Sequence, residues 1–282
     1  MKRILFLISA LIICISAQAQ SAADSLAIVT SEWEVYSPHK GVVHKSIRFD
    51  NLFDSPQSIN LVEISRSSKL RFAVAHDNSL RHTSDLAQQH NAVTAVNGSY
   101  YNMREGNSVC FYKVDRELID STTADEAAMR VNGAVHLRGR KVRILDWSVD
   151  IEHNYKGHKG TVLASGPVLL HDGHGADWSN CNESFVKARH PRSAIYTTRD
   201  GKVVFLTVDG RSKENASGMS IPELMYLIRV LGGCEALNLD GGGSTTLWID
   251  GLEGSGVVNY PSDNRKFDHA GERRVANCIY AY

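Results

Sequence analysis

Alternating apolar and polar residues dominate the first third of the chain. In Ser58-Ile59-Asn60-Leu61-Val62-Glu63-Ile64 the period is two, which predicts a half-buried strand within a strand-like stretch from Gly41 to Ser65. Residues 21–40 read as a polar lead-in, and Arg71 to Ala75 as a further strand. A short helix with Thr83 or Ser84 as its N-cap follows, and then Ala92 to Val96 form a buried strand that runs into a turn at Asn97-Gly98-Ser99-Tyr100-Tyr101. Near residue 220 the period changes. Ile221, Leu224, Met225, Ile228 and Leu231 recur at helical spacing, Ser220 and Glu223 form a capping box, and Gly232-Gly233 terminate the helix. A strand from Lys202 to Val208 precedes it and another from Cys234 to Leu239 follows. Strand, helix and strand with short connections imply a crossover that sets the two strands parallel. The expected class is therefore α/β, a mixed sheet with a strand-rich N-terminal half and a parallel strand-helix-strand crossover at about 202–239.

The first residues change this picture only at its edge. Lys2 and Arg3 precede an apolar run from Ile4 to Ile15 and the small-residue triplet Ala17-Gln18-Ala19, the pattern of a signal peptide over residues 1–19. That run is shorter than the roughly 20 residues a membrane-spanning helix needs. Stable membrane insertion is therefore not expected, and an exported protein, periplasmic or extracellular, is. Lipoprotein anchoring at Cys14 is disfavoured because Ile13 is too large for the position before the cysteine. Residues 20–89 then form the strand-rich first part of one domain, and 90–282 its catalytic region. Without Lys2 and Arg3 the chain keeps 29 basic against 31 acidic residues, scattered along its length, so nucleic acid is not an expected partner. Cys110, Cys181, Cys234 and Cys278 form no Cys-x-x-Cys pair, and four cysteines leave three disulfide connectivities open. Cys234 and Cys278 lie in apolar stretches and read as buried small hydrophobes.

Candidate chemistry gathers where the two crossover strands end, at Asp209-Gly210-Arg211 and Asp240-Gly241-Gly242-Gly243-Ser244. Both aspartates would emerge at one sheet edge, where open α/β sheets bind ligands. A pair of carboxylates at neighbouring or next-neighbouring strands suits the cleavage of a bond between them. Three glycines strip the backbone of side chains and leave its amides open to a ligand, although a tight bend where strands pack explains them too. Asp209 reads equally well as an Asp-Gly turn residue. Arg189, Arg192, Arg211 and Arg273 lie near these turns, and their guanidinium forks match phosphate or carboxylate. His171-Asp172-Gly173-His174 reads as an Asp-Gly loop rather than a metal site, and no cofactor or metal is implied. Serine-hydrolase elbow, zinc-helix, phosphate-loop and dinucleotide motifs are all missing from the sequence.

Four segments together resemble the phosphodiester glycosidase family over roughly residues 90–282. They are NGSYYN at 97–102; ASGPVLLHDG at 164–173 with RHPRSAIYTTRDGKVVFLTVDGR at 189–211; GMSIPELMYLIRVLGGCEALNLDGGGSTTLWIDG at 218–251; and VVNYPSD at 257–263 with ERRVAN at 272–277. Ser99 stands where the family has glycine and Tyr101 where it has phenylalanine. The resemblance implies hydrolysis of the bond between a sugar's anomeric carbon and a phosphodiester oxygen, on a small-molecule or glycan substrate of the N-acetylglucosamine-1-phosphodiester kind. By the same resemblance Asp240, Asp209 and Glu272 are the candidate catalytic carboxylates. Asn97, Arg192, Arg211, Gly241, Gly242, Ser244 and Arg273 are the candidate substrate-binding residues. A glycan-binding envelope protein that does no chemistry, and a metal-dependent phosphodiesterase, are the alternatives.

Overall fold

The structure, a computed structural model, describes residues 22–252 and 254–282, so the segment expected to be a signal peptide and Cys14 lie outside the described residues. In chain order the elements begin with α1 (residues 22–30), β1 (Glu34–His39), β2 (Val42–Phe49), β3 (Gln57–Ile64), β4 (Phe72–Arg81), α2 (Thr83–Gln89), β5 (Thr94–Asn97), β6 (Tyr112–Val114) and β7 (Glu117–Asp120). There follow α3 (Ala124–Met129), β8 (Gly133–Arg138), β9 (Lys141–Asp146), α4 (Val149–Asn154), β10 (Thr161–Ser165), β11 (Val168–His171), β12 (His174–Gly175) and α5 (Glu183–Lys187). The chain closes with β13 (Arg192–Thr198), β14 (Val203–Val208), α6 (Ile221–Val230), β15 (Gly233–Asn238), β16 (Leu247–Ile249) and β17 (Val275–Ala281). Thus the polar lead-in holds a helix and an edge strand, and α2 starts one or two residues earlier than expected, with His82 rather than Thr83 or Ser84 as its N-cap.

The strands form an eight-stranded sheet of order β1-β2-β3-β14-β13-β15-β11-β12, a five-stranded sheet β7-β6-β10-β8-β9 and a four-stranded sheet β16-β5-β17-β4. Every pairing among the described residues is antiparallel. This overturns the α/β class and its parallel crossover. β14 and β15 do not pair with each other, because β13 lies between them and pairs antiparallel with both. The physical reason is local: β13 precedes β14 by a short turn, folds against it as a hairpin and occupies the neighbouring place before the helix returns the chain.

Within β14 every residue is buried, and the pleat sends alternate ones to two different cores. Val204, Leu206 and Val208 pack with Ile28 of α1 and with Leu224, Leu227 and Ile228 of α6. Val203 and Phe205 pack on the other side with Val96, Ile279, Val135 and Leu163 of the two smaller sheets. The large sheet is thus the middle layer, which explains why its central strand reads as an unbroken apolar run. Each such side chain contributes about 1.5–3 kcal/mol by its removal from water. The first and last parts of the chain share these layers, since β3 pairs with β14 and β4 with β17. Among the described residues no helix is long and apolar enough to cross a membrane.

Cys110 and Cys278 are buried, Cys181 and Cys234 are partly exposed, and all four are free thiols. Cys234 is therefore not the buried hydrophobe its surroundings suggested. His171 and His174 flank a two-residue turn in which Asp172 and Gly173 both have positive φ, 46° and 78°, joining β11 to β12. His171 is engaged by Glu235 and Asp146 at 2.9 and 2.8 Å, so this segment is a hairpin tip held by carboxylates.

Candidate active site

β13 faces β14 and β15 so that Arg192 opposes Val208 and Ala194 opposes Asn238, and the segments following both strands leave the sheet near the start of β13. Asn97 fixes the loop after β15. Its Nδ2 donates to the Asp240 carbonyl at 2.7 Å, while its Oδ1 accepts from Ser193 Oγ at 2.6 Å and from Thr246 N at 3.1 Å. The Asp240 N–H donates to the Gly98 carbonyl at 2.9 Å. One buried amide thereby ties β5, β13 and both ends of the glycine loop together, and Asn97 lies behind the site rather than in it.

The glycines have steric causes. Gly242 has φ 62°, which favours a residue without Cβ, and a Cβ there would lie 2.8 Å from Arg211 Nη2. A Cβ on Gly243 would lie 2.5 Å from Arg273 Nη2 and 2.7 Å from Asp263 Oδ1. A Cβ on Gly241 would lie 2.5 Å from the Pro191 carbonyl oxygen, so backbone packing at Gly241 and the left-handed φ of Gly242 keep the loop bare, and the guanidinium tips of Arg211 and Arg273 close over it.

A cleft of about 230 Å³ opens here, and its lining includes Asp240, Arg130, Arg192, Arg211, Arg273 and His190. Asp240 accepts from the Gly241 N–H at 2.9 Å. Burial pushes its pKa up to about 6, against the opposing pull of Ser244, Arg130, the Gly241 N–H and Arg273. Ser244 itself is buried and sits close enough to favour the Asp240 carboxylate, yet its Oγ makes no hydrogen bond of good geometry.

The four arginines are held differently. Arg192 is 2% exposed, and its Nε and Nη2 donate to the carbonyls of Met219, Ala188 and Phe185 at 2.9, 2.8 and 3.1 Å. Burial lowers its pKa to about 10. Arg273 donates through Nε to Asp263 at 2.7 Å. Arg211 is exposed, with a left-handed φ of 61°. Arg130, which no local pattern marked, grips Glu126 with two hydrogen bonds of 2.7 Å, and its guanidinium lies 3.7 Å above the ring of Tyr100. Tyr100 is fixed in turn, donating to the Gly166 carbonyl at 2.6 Å and accepting from Asn238 Nδ2 at 3.0 Å. His190, also unmarked by the sequence, has its pKa lowered by burial and by Arg192 and Arg211.

Three residues expected near this chemistry stand elsewhere. Asp209 is fully buried and outside the lining of the cleft; it accepts from Ser58 Oγ, Asn259 Nδ2 and Tyr260 N at 2.6, 3.0 and 2.8 Å. Glu272 accepts from the backbone N and Oγ of Ser84 at 2.8 and 2.6 Å, binding the first turn of α2. Arg189 donates to Glu223 and, at 2.8 Å, to Ser55, so it clamps the start of α6. Asp240, Arg192, Arg211, Gly241, Gly242 and Arg273 are brought together; Asn97 and Ser244 support them from behind.

A sequence model of the phosphodiester glycosidase family matches residues 90–282. Among curated proteins, the chain is similar to N-acetylglucosamine-1-phosphodiester alpha-N-acetylglucosaminidase of Bos taurus, 28% identical over 108 residues that make up 36% of this chain and 19% of that protein. It is also similar to a prophage-derived uncharacterized protein of Bacillus subtilis, 34% identical over 100 residues, 31% of this chain and 15% of the other. The matched segments thus span less than a fifth of either relative. Among solved structures, the auto-inhibited catalytic domain of the zebrafish N-acetylglucosamine-1-phosphodiester alpha-N-acetylglucosaminidase superposes with a TM-score of 0.66 at 16% identity, covering 89% of this chain and 87% of that one. A hypothetical protein from Synechocystis gives 0.64 at 14% identity, over 89% and 64% of the two chains. At these identities the superpositions establish a shared fold.

Proposed function

This chain belongs to the phosphodiester glycosidase family, and from that premise we propose that it hydrolyses the anomeric C–O bond of a sugar-1-phosphodiester, releasing the sugar and a phosphomonoester. The observation that carries this reading is one carboxylate, Asp240, facing four guanidiniums across a cleft of about 230 Å³. The relatives named for an activity act on N-acetylglucosamine-1-phosphodiester, so N-acetylglucosamine is the proposed sugar.

Asp240 serves as nucleophile or base at the anomeric carbon, its charge set against the oxocarbenium character of the transition state. The departing phosphate is already an anion. Arg192, whose observed hydrogen bonds all go to carbonyls, together with Arg130, Arg211 and Arg273, neutralises the charge it gains, which replaces protonation of the leaving group. His190 is neutral near pH 7 because burial and its flanking arginines disfavour the imidazolium, so it keeps a lone pair for a water proton. Asp209 and Glu272, first considered as partners of Asp240, act in this scheme as positioning residues. The former holds the Tyr260 segment against β3 and the latter holds α2. Lys2, Arg3 and the apolar run behind them support export as the setting of this activity.

Arg273→Ala tests the assignment of the phosphate site. The variant should lose at least ~10-fold in kcat/KM on the methyl phosphodiester of N-acetylglucosamine-1-phosphate, the loss of one charge-assisted contact. Turnover of an aryl glycoside should fall less. Equal losses on both substrates would remove Arg273 from the phosphate site.

A further inference from the structure

Asp209 points to a second groove. Its acceptor oxygens hold Ser58 of β3 and the Tyr260 segment, both of which line a groove of about 810 Å³ beside β1 and β2. Arg211, two residues on, lines the cleft of Asp240. Asp209, behind the groove, and Arg211, in the lining of the cleft, are thus joined by one glycine and lie no more than about 7 Å apart along the chain.

Strand register makes the groove floor polar. Glu34 pairs with Ser46, Tyr36 with His44, Ser46 with Asn60 and Arg48 with Ser58, so these side chains share one face of three adjacent strands. The intervening residues Ile59 and Leu61 go to the apolar core beneath, and Ile47 packs against that core while bordering the groove. Asn60 is 3% exposed and lines the groove, with its Oδ1 engaged by His44 Nε2 at 3.1 Å. Its amide N–H groups are donors that a ligand hydroxyl can take over from water. At the rim the Tyr36 ring is 50% exposed. The opposite wall is stiff: Tyr260 stacks on Phe267 at 4.1 Å, and Arg48 lies over both rings at 4.7 and 4.8 Å.

The chemistry selects the ligand. Glu32 and Glu34 outnumber Arg48, which is stacked on the Tyr260 and Phe267 rings, so the lining disfavours an anion, and a floor of Ser, Asn and His gives a purely apolar solute no favourable burial. A pyranose has hydroxyls for the amide, imidazole and carboxylate groups and an apolar C–H face for the Tyr36 ring. We propose that this groove is a carbohydrate subsite holding a glycan portion of the substrate's aglycone, across the Asp209 turn from the cleft. The aglycone role rests on the glycosidase reading of Asp240; the carbohydrate site does not. A rigid, prefilled wall keeps the ordering cost of binding low.

The groove is tested by calorimetric titration of the Asp240→Asn protein with chito-, cello-, malto- and mannohexaose. At least one should bind, Tyr36→Ala should weaken it at least ~10-fold, and Tyr36→Phe, which keeps the ring, should hold affinity within about threefold. Tyr36 lies exposed on an edge strand, so an unchanged melting curve is expected for either variant. Absence of binding by all four, or binding indifferent to Tyr36→Ala, overturns the site. With the unsubstituted protein, a diester whose aglycone carries the bound oligosaccharide should exceed the methyl diester at least ~10-fold in kcat/KM. Equal values overturn the aglycone role. Hydrolysis of neither diester, with Tyr36-dependent binding intact, sinks the glycosidase reading and leaves the carbohydrate site standing.

Discussion

Asp240→Asn should make the protein both inactive and more stable, and the two effects have one cause. Burial raises the carboxyl pKa from the ordinary aspartate value near 3.9 to about 6. At about 1.4 kcal/mol per pH unit, the folded state therefore carries about 3 kcal/mol of unfavourable free energy once this carboxyl is ionised. The sign follows from linkage. The folded protein holds the proton more tightly than the unfolded chain, so the stability this group contributes is complete below about pH 4 and is lost as pH rises through about 6. Asparagine resembles the protonated acid at every pH. The variant should thus exceed the parent by up to about 3 kcal/mol at pH 8, roughly 6–12 °C in Tm for a chain of this size, and match it at pH 4. Urea unfolding at the two pH values measures this, and kcat should fall at least ~100-fold in parallel. A variant less stable than the parent at pH 8, or a gap equal at both pH values, would refute the assignment of a strained, ionised carboxylate at this position.

Two further substitutions separate charge tuning from scaffolding. Arg130→Met keeps packing on Tyr100 but removes a charge that favours ionised Asp240, so the acid limb of the kcat/KM profile should move from near pH 6 to higher pH; an unmoved limb contradicts the coupling. Asp209→Ala strands Ser58, Asn259 and the Tyr260 N–H and should cost about 3 kcal/mol in urea unfolding. Activity per folded molecule should fall far less than in Asp240→Asn, and a comparable fall would return Asp209 to the chemistry.

What the sequence revealed was local. The capping box of Ser220 and Glu223 is present as read, with Ser220 Oγ accepting from the Glu223 N–H and the Glu223 carboxylate accepting from the Ser220 N–H. β3, β14 and β15 fall within one or two residues of the expected strands. The glycine loop was found because three adjacent glycines are costly unless something crowds them, and the Pro191 carbonyl, with Arg211 and Arg273, does.

What escaped in the topology is β13, which lies just before residues 202–239 and, as the hairpin partner of β14, takes the place between β14 and β15, so a pattern of elements was mistaken for a pattern of neighbours. The rest depends on distant partners. Asp209 reads like Asp240 in sequence, each an aspartate before glycine at a strand's end. Their difference is made by Ser58, 151 positions earlier, and by Tyr260, 51 positions later. Arg130 joins the cleft through the face of Tyr100, 30 residues away, a contact with no periodicity to betray it.

The proposed reaction is tested most directly by hydrolysing the methyl phosphodiester of N-acetylglucosamine-1-phosphate in water enriched in heavy oxygen and weighing both products. Attack at the anomeric carbon, with Asp240 as nucleophile or base, puts the label in the sugar and none in the phosphate. Label in the phosphate would mean that the P–O bond breaks, and the assignment of Asp240 to glycosidic cleavage would be wrong.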